Sequence, residues 1–241
     1  KIYDNPDELL SISLGSSETT LLKLTRAYCS FVNGGKLINA KFIDRIQDSE
    51  GNTIFNSENR ECDGCDEISF LSNEIPKIKN NFIQIISKET AYQMTSILEG
   101  TVKRGTAKGL KDLNLDLGGK TGTTNKNTDT WFIGFSSNYV IGVYVGYDDP
   151  SSLGKYETGA RTAMPIFKNF VKNSVRKDSA RPFKVPQGIK MLVVNSNTGE
   201  RASYSDESII IEAFKAKDLV NNKIQYGNVD YISKENIYKF Y

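Results

Sequence analysis

The sequence predicts an α+β fold in which an antiparallel β-sheet packs against helices. Three strand-like segments follow one another between residues 117 and 147, and short, turn-rich connections join them. Such short connections favour antiparallel pairing of consecutive strands. Amphipathic helical patterns precede and follow this region, and a chain of 241 residues is long enough to bury a core between a sheet and helices.

Three helices are predicted from apolar residues that recur at intervals of three and four. The first runs from Thr20 to Val32, where the sequence Asn-Gly-Gly ends it. The second begins at a capping serine, Ser87, and ends before Gly105. The third runs from about Ala160 to Val175 and has Pro165 in its first turns, where a proline is tolerated.

The strands of the sheet are predicted at Leu117 to Thr123, Thr130 to Phe135 and Tyr139 to Tyr147. Each segment is rich in apolar or β-branched residues and is bounded by residues that favour turns. A smaller, separate hairpin is predicted around the turn from Asp48 to Gly51.

A change in composition near residue 178 predicts a domain boundary. The segment RPFKVPQG has the prolines of a linker, and the segments MLVV, NSNTG and SIIIEAF after it predict a small β-containing unit. We therefore expect one domain over residues 1–177 and a linker with a C-terminal extension over residues 178–241.

The composition excludes several classes of function. The net charge is +2 and charged residues make up 25% of the chain, so no nucleic-acid partner is expected. The chain contains no histidine, which excludes a Ser-His-Asp triad and a histidine-ligated metal site. We expect neither a metal nor a cofactor. The longest apolar stretch, Trp131 to Tyr147, is too short and too polar for a helix that spans a membrane.

The segment GGKTGTT, Gly118 to Thr124, places one lysine among glycines and hydroxyls. A nucleotide-binding phosphate loop needs the pattern G-x-x-x-x-G-K-[ST], but Asn114 stands where the first glycine should be. Such a loop also opens a helix, whereas this segment is expected to be a strand followed by another strand. A nucleotide site is therefore not predicted.

On a strand, Lys120 and Gly122 point to one face and Thr121 and Thr123 to the other. At the edge of a sheet these residues could offer a lysine, two hydroxyls and, at Gly122, a bare backbone that an extended peptide can approach. We expect a cationic site for a peptide carboxylate. The alternative from the K-T-G tripeptide alone is a solvated lysine on a hairpin.

The residues around this motif extend the pattern. The segments TAYQMTSILEGTVKRGTAKGL, GGKTGTTNKNTDTWFIGFSSNYVIGVYVGYDD and ETGARTAMPIF, with LTRAYCSFVNGG before them, closely resemble the transpeptidase domain of class A penicillin-binding proteins. The resemblance runs from about Leu10 to Val175. It implies the fold shared by penicillin-binding transpeptidases and serine β-lactamases, truncated at its N-terminal side.

The resemblance implies a serine acyltransferase that cross-links peptidoglycan. Such an enzyme binds the D-alanyl-D-alanine end of a stem peptide, forms an acyl-serine and is trapped by β-lactams, with a lysine instead of a histidine handling the proton. Carried over to this chain, Lys120, Thr121 and Thr123 would hold the terminal carboxylate beside Gly122, and the amide of Thr123 would donate to the oxyanion. The parent would be anchored in the bacterial inner membrane, with this part in the periplasm.

Two of the three motifs of such enzymes are not found in a suitable context. The S-x-x-K strings begin at Ser152 and Ser174, after the K-T-G, and the S-x-N strings at Ser57 and Ser136 have turn chemistry as a sufficient explanation. We expect no catalytic residue in this chain and a nucleophile upstream of it, so that the chain alone is inactive. The alternative is a noncatalytic wall-binding or partner-docking module that keeps the K-T-G groove.

Other residues have structural interpretations. Cys62 and Cys65 form a C-x-x-C, which could be a short disulfide, half of a zinc site or a redox pair. The extracytoplasmic location that the resemblance implies favours a structural disulfide. Asp129 and Trp131 match the D-x-W of the family, and we expect the aspartate to fix the hairpin turn and the tryptophan to pack.

Overall fold

The structure, a computed structural model, has the predicted α+β architecture. It describes residues 2, 3, 6, 8–57, 62, 63, 77–79, 81–175 and 181–221. The helices are α1 (Leu21–Val32), α2 (Lys88–Lys103), α3 (Ala163–Ser174) and α4 (Ala216–Asn221). The strands are β1 (Arg45–Gln47), β2 (Thr53–Asn56), β3 (Cys62–Asp63), β4 (Lys77–Ile78), β5 (Gly118–Thr123), β6 (Asp129–Phe135), β7 (Val140–Gly146), β8 (Ile189–Asn195) and β9 (Ile209–Lys215).

The central sheet consists of β5, β6 and β7 in that order, and both pairings are antiparallel. The second connection is a tight turn in which the hydroxyl of Ser136 accepts hydrogen bonds from the N–H groups of Asn138 and Tyr139. The predicted strands and their antiparallel order are confirmed, as is the smaller hairpin of β1 and β2 around Asp48.

Helices cover both faces of this sheet. On one face the ring of Phe167 in α3 lies with its centroid 5.0 Å from that of Phe132 in β6. On the other face α1 lies so close to β7 that a Cβ atom at Gly142 would be 2.8 Å from Leu21 Cδ1. The sheet therefore lies between α3 and α1, and α2 contacts both α1 and the edge strand β5.

The starts of the helices show how far local sequence determines them. The side chains of Thr20 and Ser87 accept hydrogen bonds from the N–H groups of Lys23 and Thr90, so α1 and α2 begin where they were predicted to begin. Helix α3 begins at Ala163, three residues later than predicted, because the preceding residues form turns against the sheet.

The core lies between α2, α3 and the sheet. Its largest fully buried side chains include Phe132, Phe167, Leu110 and Leu117. Leu110 belongs to a short 3₁₀ turn, Lys108–Leu113, that the sequence did not predict.

The β8–β9 hairpin packs against α2. The side-chain amide of Gln93 donates to the carbonyl of Ala213 at 3.0 Å, and Arg104 forms an ion pair with Glu212. The two predicted strands of the C-terminal extension are thus present and contact the rest of the chain. The division into residues 1–177 and 178–241 remains a prediction.

None of the described helices has the length and apolar composition needed to cross a membrane. The described residues contain no cluster of three metal-binding His, Cys, Asp or Glu side chains.

Candidate functional site

The K-T-G segment lies at one edge of the central sheet. Strand β5, which contains it, has β6 as its one partner strand among the residues that the structure describes. Lys120 lies opposite Ile133 and Thr123 lies opposite Thr130 in this pairing. The free edge of β5, which we call the outer edge, is the side that faces away from β6.

Hydrogen bonds show which main-chain groups face the outer edge. The N–H of Thr124 donates to the carbonyl of Asp129 at 3.1 Å, which places this pair among those joined across β5 and β6. Because antiparallel pairs alternate, the main-chain groups of Gly122 also point to β6, and those of Thr121 and Thr123 point away from it. The outer edge therefore presents the N–H groups of Thr121 and Thr123.

Contacts of two carbonyls support this assignment. The hydroxyl of Thr101 in α2 donates to the carbonyl of Gly119 at 2.7 Å, and Lys120 Nζ donates to the carbonyl of Thr121 at 2.8 Å. Gly119 and Thr121 are two residues apart, as expected for groups on one edge of a strand. Helix α2 therefore contacts the outer edge at one end of β5.

Lys120 brings a positive charge to this edge. Its side chain is exposed, and its ammonium group contacts the neutral carbonyl of Thr121, which does not neutralise the charge. The ammonium thus lies beside the outward main-chain groups. This arrangement suits a ligand that combines an extended backbone with a carboxylate.

Thr123 is held by the segment that precedes α3. The N–H of Gly159 donates to the hydroxyl oxygen of Thr123 at 3.1 Å, so the hydrogen of this hydroxyl is left to donate elsewhere. A Cβ atom at residue 159 would lie 2.5 Å from the carbonyl oxygen of Trp131 and 2.6 Å from that of Gly122. Only glycine permits this close approach.

Another loop contacts the β5–β6 turn, which follows the K-T-G strand. The side-chain amide of Asn127 lies 2.9 Å from the carbonyl oxygens of both Gly154 and Lys155, and the N–H of Leu153 donates to the carbonyl of Asn127. These bonds join the β5–β6 turn to the loop at residues 153–155. The turn-rich sequence predicted the turn but not its hydrogen bonds to the loop at residues 153–155.

Asp129 and Trp131 lie next to the site on the face of the sheet that also carries Lys120. The hydroxyl of Tyr144 donates to Asp129 Oδ1 at 2.7 Å, and this bond raises the pKa of Tyr144. Asp129 holds the hairpin turn through its main chain, because its carbonyl accepts from the N–H of Thr124 and its N–H donates to the Thr124 hydroxyl, while its side chain is bonded to Tyr144. Trp131 packs edge-on against Tyr144, with ring centroids 4.8 Å apart.

Glu99 lies behind the strand and was not singled out from the sequence. It forms an ion pair with Lys103 at 2.9 Å, and a Cβ atom at Gly118 would lie 3.1 Å from its main-chain nitrogen. Burial raises the pKa of the Glu99 carboxyl group. Close packing of α2 on β5 therefore includes an acidic side chain in a poorly hydrated position.

Three serines of the S-x-x-K and S-x-N strings lie in a loop, at the end of a helix and after a strand. Ser152 lies in a loop, where its hydroxyl accepts from the N–H of Gly154, and Ser174 is the last residue of α3. Ser57 follows β2, and its hydroxyl donates to Asp44. None of these described serines begins a helix.

The cysteine pair is only partly described. Cys62, in β3, takes part in a disulfide bond. Cys65 lies outside the described residues, so the predicted pairing of these two cysteines remains a prediction.

Residues 4–172 match a family model described as the penicillin-binding protein transpeptidase domain. Penicillin-binding protein 1A from Rickettsia conorii is 40% identical over 245 residues, which cover 97% of this chain and 31% of that protein. Penicillin-binding protein 1A from Neisseria flavescens is 36% identical over 181 residues, covering 75% of this chain and 21% of that protein. The chain thus spans less than a third of the length of these relatives.

Solved structures have a similar fold. A crystal structure of penicillin-binding protein 1A from Haemophilus influenzae superposes with a TM-score of 0.70 at 31% identity, covering 86% of this chain and 33% of that one. PonA1 from Mycobacterium tuberculosis in complex with penicillin V gives a TM-score of 0.53 at 22% identity, covering 73% and 43%.

Proposed function

Because the chain belongs to the penicillin-binding protein transpeptidase family, we propose that the outer edge of β5 binds the acyl donor of a peptidoglycan D-alanyl-D-alanine transpeptidase. One observation carries this proposal: the ammonium group of Lys120 lies beside outward-facing main-chain groups of β5, which has no partner strand on that edge among the described residues. A stem peptide that ends in D-alanyl-D-alanine has an extended backbone and a terminal carboxylate. β-Lactams would bind at the same edge.

In this proposal the peptide adds to the sheet as a further strand along the outer edge. Lys120 exchanges its contact with the Thr121 carbonyl for the stronger, charge-assisted contact with the substrate carboxylate. The hydroxyl of Thr123 donates to the same carboxylate, since its oxygen already accepts from Gly159. The hydroxyl of Thr121 would donate a further hydrogen bond to this carboxylate.

The N–H of Thr123 would stabilise the developing oxyanion when the peptide carbonyl is attacked. Loss of one such donor costs about 3 kcal/mol of transition-state stabilisation in comparable sites. The attack would form an acyl-serine and release D-alanine, and an amine of a neighbouring stem peptide would then take the acyl group. A lysine near the serine would move the proton.

The nucleophile is proposed to lie in a longer parent protein, in an S-x-x-K motif outside this chain. Ser152 and Ser174 do not begin helices, which supports this assignment. This chain would then contribute the binding edge and have no transpeptidase activity alone. We propose that the parent works on the periplasmic side of the bacterial inner membrane, to which it is anchored.

The test is the intact mass of the protein after incubation with a penicillin, measured for this chain and for a longer protein that includes the S-x-x-K serine. We expect one β-lactam adduct on the longer protein, no adduct on this chain, and no adduct on the longer protein once that serine is replaced by alanine. Failure of the folded longer protein to react would reject the enzyme and favour a noncatalytic wall-binding module. An adduct on Ser152 or Ser174 of this chain would overturn the proposed inactivity.

A further inference from the structure

The β8–β9 hairpin contacts α2 through two adjacent residues of β9. Gln93 donates to the carbonyl of Ala213, and Arg104, the residue that follows α2, pairs with Glu212. The guanidinium of Arg104 lies over Gly100, where an added Cβ atom would be 2.9 Å from it. These contacts hold the C-terminal half of α2 against β9.

The same hairpin region also reaches the central sheet. The ring of Phe183, which precedes β8, lies edge-on to that of Phe135 in β6, with centroids 5.7 Å apart. In β8 and β9, Val194 and Ala213 are buried. The hairpin is therefore held by apolar contacts as well as by the polar contacts to α2.

Helix α2 in turn contacts the outer edge of β5. The hydroxyl of Thr101 lies 2.7 Å from the carbonyl oxygen of Gly119, one residue before Lys120 in the chain. It also lies 2.8 Å from the carbonyl oxygen of Leu98 in α2, so its one hydrogen is shared between these two acceptors. Thr101 and Arg104 are three residues apart, so they lie close together at the end of the helix. The contact to the hairpin and the contact to the outer edge thus occupy the same end of α2.

We propose that the β8–β9 hairpin is a strut that fixes the outer edge of β5 through α2, with Thr101 as the positioning residue at the point of contact. Strand β5 has one partner strand among the described residues, so restraint from α2 limits its movement on the other side. No residue of the hairpin needs to touch the ligand. The consequence for acyl transfer rests on the proposed function, whereas the mechanical link does not.

The first test is amide hydrogen exchange of this chain, without ligand, in Thr101→Val and Thr101→Ser. Valine has nearly the shape of threonine but no hydroxyl. We expect Thr101→Val to speed exchange at Lys120 and Gly122 by about two- to tenfold, the range that loss of one hydrogen bond allows. Thr101→Ser, which retains a hydroxyl, should exchange at a rate close to that of the unsubstituted chain.

An internal control separates a local effect from a loss of overall stability. The N–H groups of Thr130 and Phe132 point to β7 and report the opening of the whole sheet. Their exchange should change less than that at Lys120 and Gly122 in Thr101→Val. Equal acceleration at all four amides would overturn the positioning role.

The second test asks whether the hairpin acts through Thr101. We expect Glu212→Gln to speed exchange at Lys120 and Gly122 by about two- to fivefold, because the ion pair it weakens is partly exposed. The matched control is Asp112→Asn, which makes the same carboxylate-to-amide change in the ion pair with Lys168. This control should leave exchange in β5 unchanged.

Coupling between the two positions decides the proposal. If the strut acts through Thr101, Glu212→Gln should add little to the effect of Thr101→Val. Full addition of the two effects on exchange, or no effect of Glu212→Gln on exchange in β5, would overturn the proposal.

In the longer protein, Glu212→Gln should also slow acylation by a penicillin. Failure of the unsubstituted longer protein to acylate would reject the proposed function, while the exchange results would still decide the strut.

Discussion

The main-chain N–H of Gly159 donates a hydrogen bond to the hydroxyl oxygen of Thr123 over 3.1 Å. This bond joins the segment before α3 to the last residue of the K-T-G strand, 36 positions earlier in the chain. It orients the Thr123 hydroxyl and leaves its hydrogen available. The conformation of the proposed ligand edge therefore depends on a segment outside the K-T-G motif.

Replacement of Gly159 by alanine should destabilise the protein. The added Cβ atom would meet main-chain oxygens of Trp131 and Gly122, which cannot move without moving the sheet. We expect the free energy of unfolding in a denaturant titration to fall by about 1–3 kcal/mol. The control is Gly109→Ala, whose Cβ meets the flexible end of Met164. Equal stability of the two variants would contradict this explanation.

The hydroxyl of Thr123 should matter for acylation. In the longer protein, Thr123→Val removes both the acceptor for Gly159 and the proposed donor to the substrate carboxylate. We expect the acylation rate constant for a penicillin, followed by intact mass over time, to fall about tenfold or more. Thr123→Ser retains the hydroxyl and should recover most of the rate. A valine variant that reacts at the normal rate would exclude this role.

The face of α3 that packs on the sheet should dominate the stability of that helix. Phe167 is fully buried against Phe132, so Phe167→Ala should lower the free energy of unfolding by about 3–5 kcal/mol. Phe170, on the same helix, is half exposed, and Phe170→Ala should cost much less. Denaturant titration of both variants measures the difference, and similar losses would argue against the observed orientation of α3.

Glu99 should make stability depend on pH. Burial raises its pKa in the folded protein above the ordinary value of 4.5, so over a range above pH 4.5 the folded protein keeps a proton that the unfolded chain has lost. The contribution of Glu99 to stability therefore falls as pH rises through this range.

Glu99→Gln should remove this dependence. The free energy of unfolding of the variant minus that of the unsubstituted chain should become more positive as pH rises from about 4 to 7. Denaturant titrations at several pH values measure this difference. A difference that stays constant or decreases over the range would show that Glu99 does not carry the effect.

Local patterns predicted the elements that carry the K-T-G motif. Alternating and β-branched residues locate β5, β6 and β7, and the capping side chains of Thr20 and Ser87 locate two helix starts, because these signals depend on neighbours in sequence. The prediction that Lys120 lies on a strand depended on the same signals and agrees with the described sheet.

Contacts between distant segments could not be predicted in this way. The hydroxyl of Thr101 could equally have bonded only within its helix, and nothing in the sequence near Gln93 indicates that β9 lies beside it. The late start of α3 has the same origin, because Gly159 is held in a turn by its packing against Trp131 and Gly122. Tertiary packing, which no local pattern encodes, decides these features.

The central claim, that Lys120 holds the carboxylate of the acyl donor, is tested most directly by the acylation rate of the longer protein with a penicillin. We expect Lys120→Ala to lower the rate constant about ten- to a hundredfold, the range for loss of a hydrogen bond to a charged group. Lys126→Ala, which removes an exposed lysine from the following turn, should leave it unchanged. Acylation of the Lys120→Ala protein at the unsubstituted rate would contradict the claim.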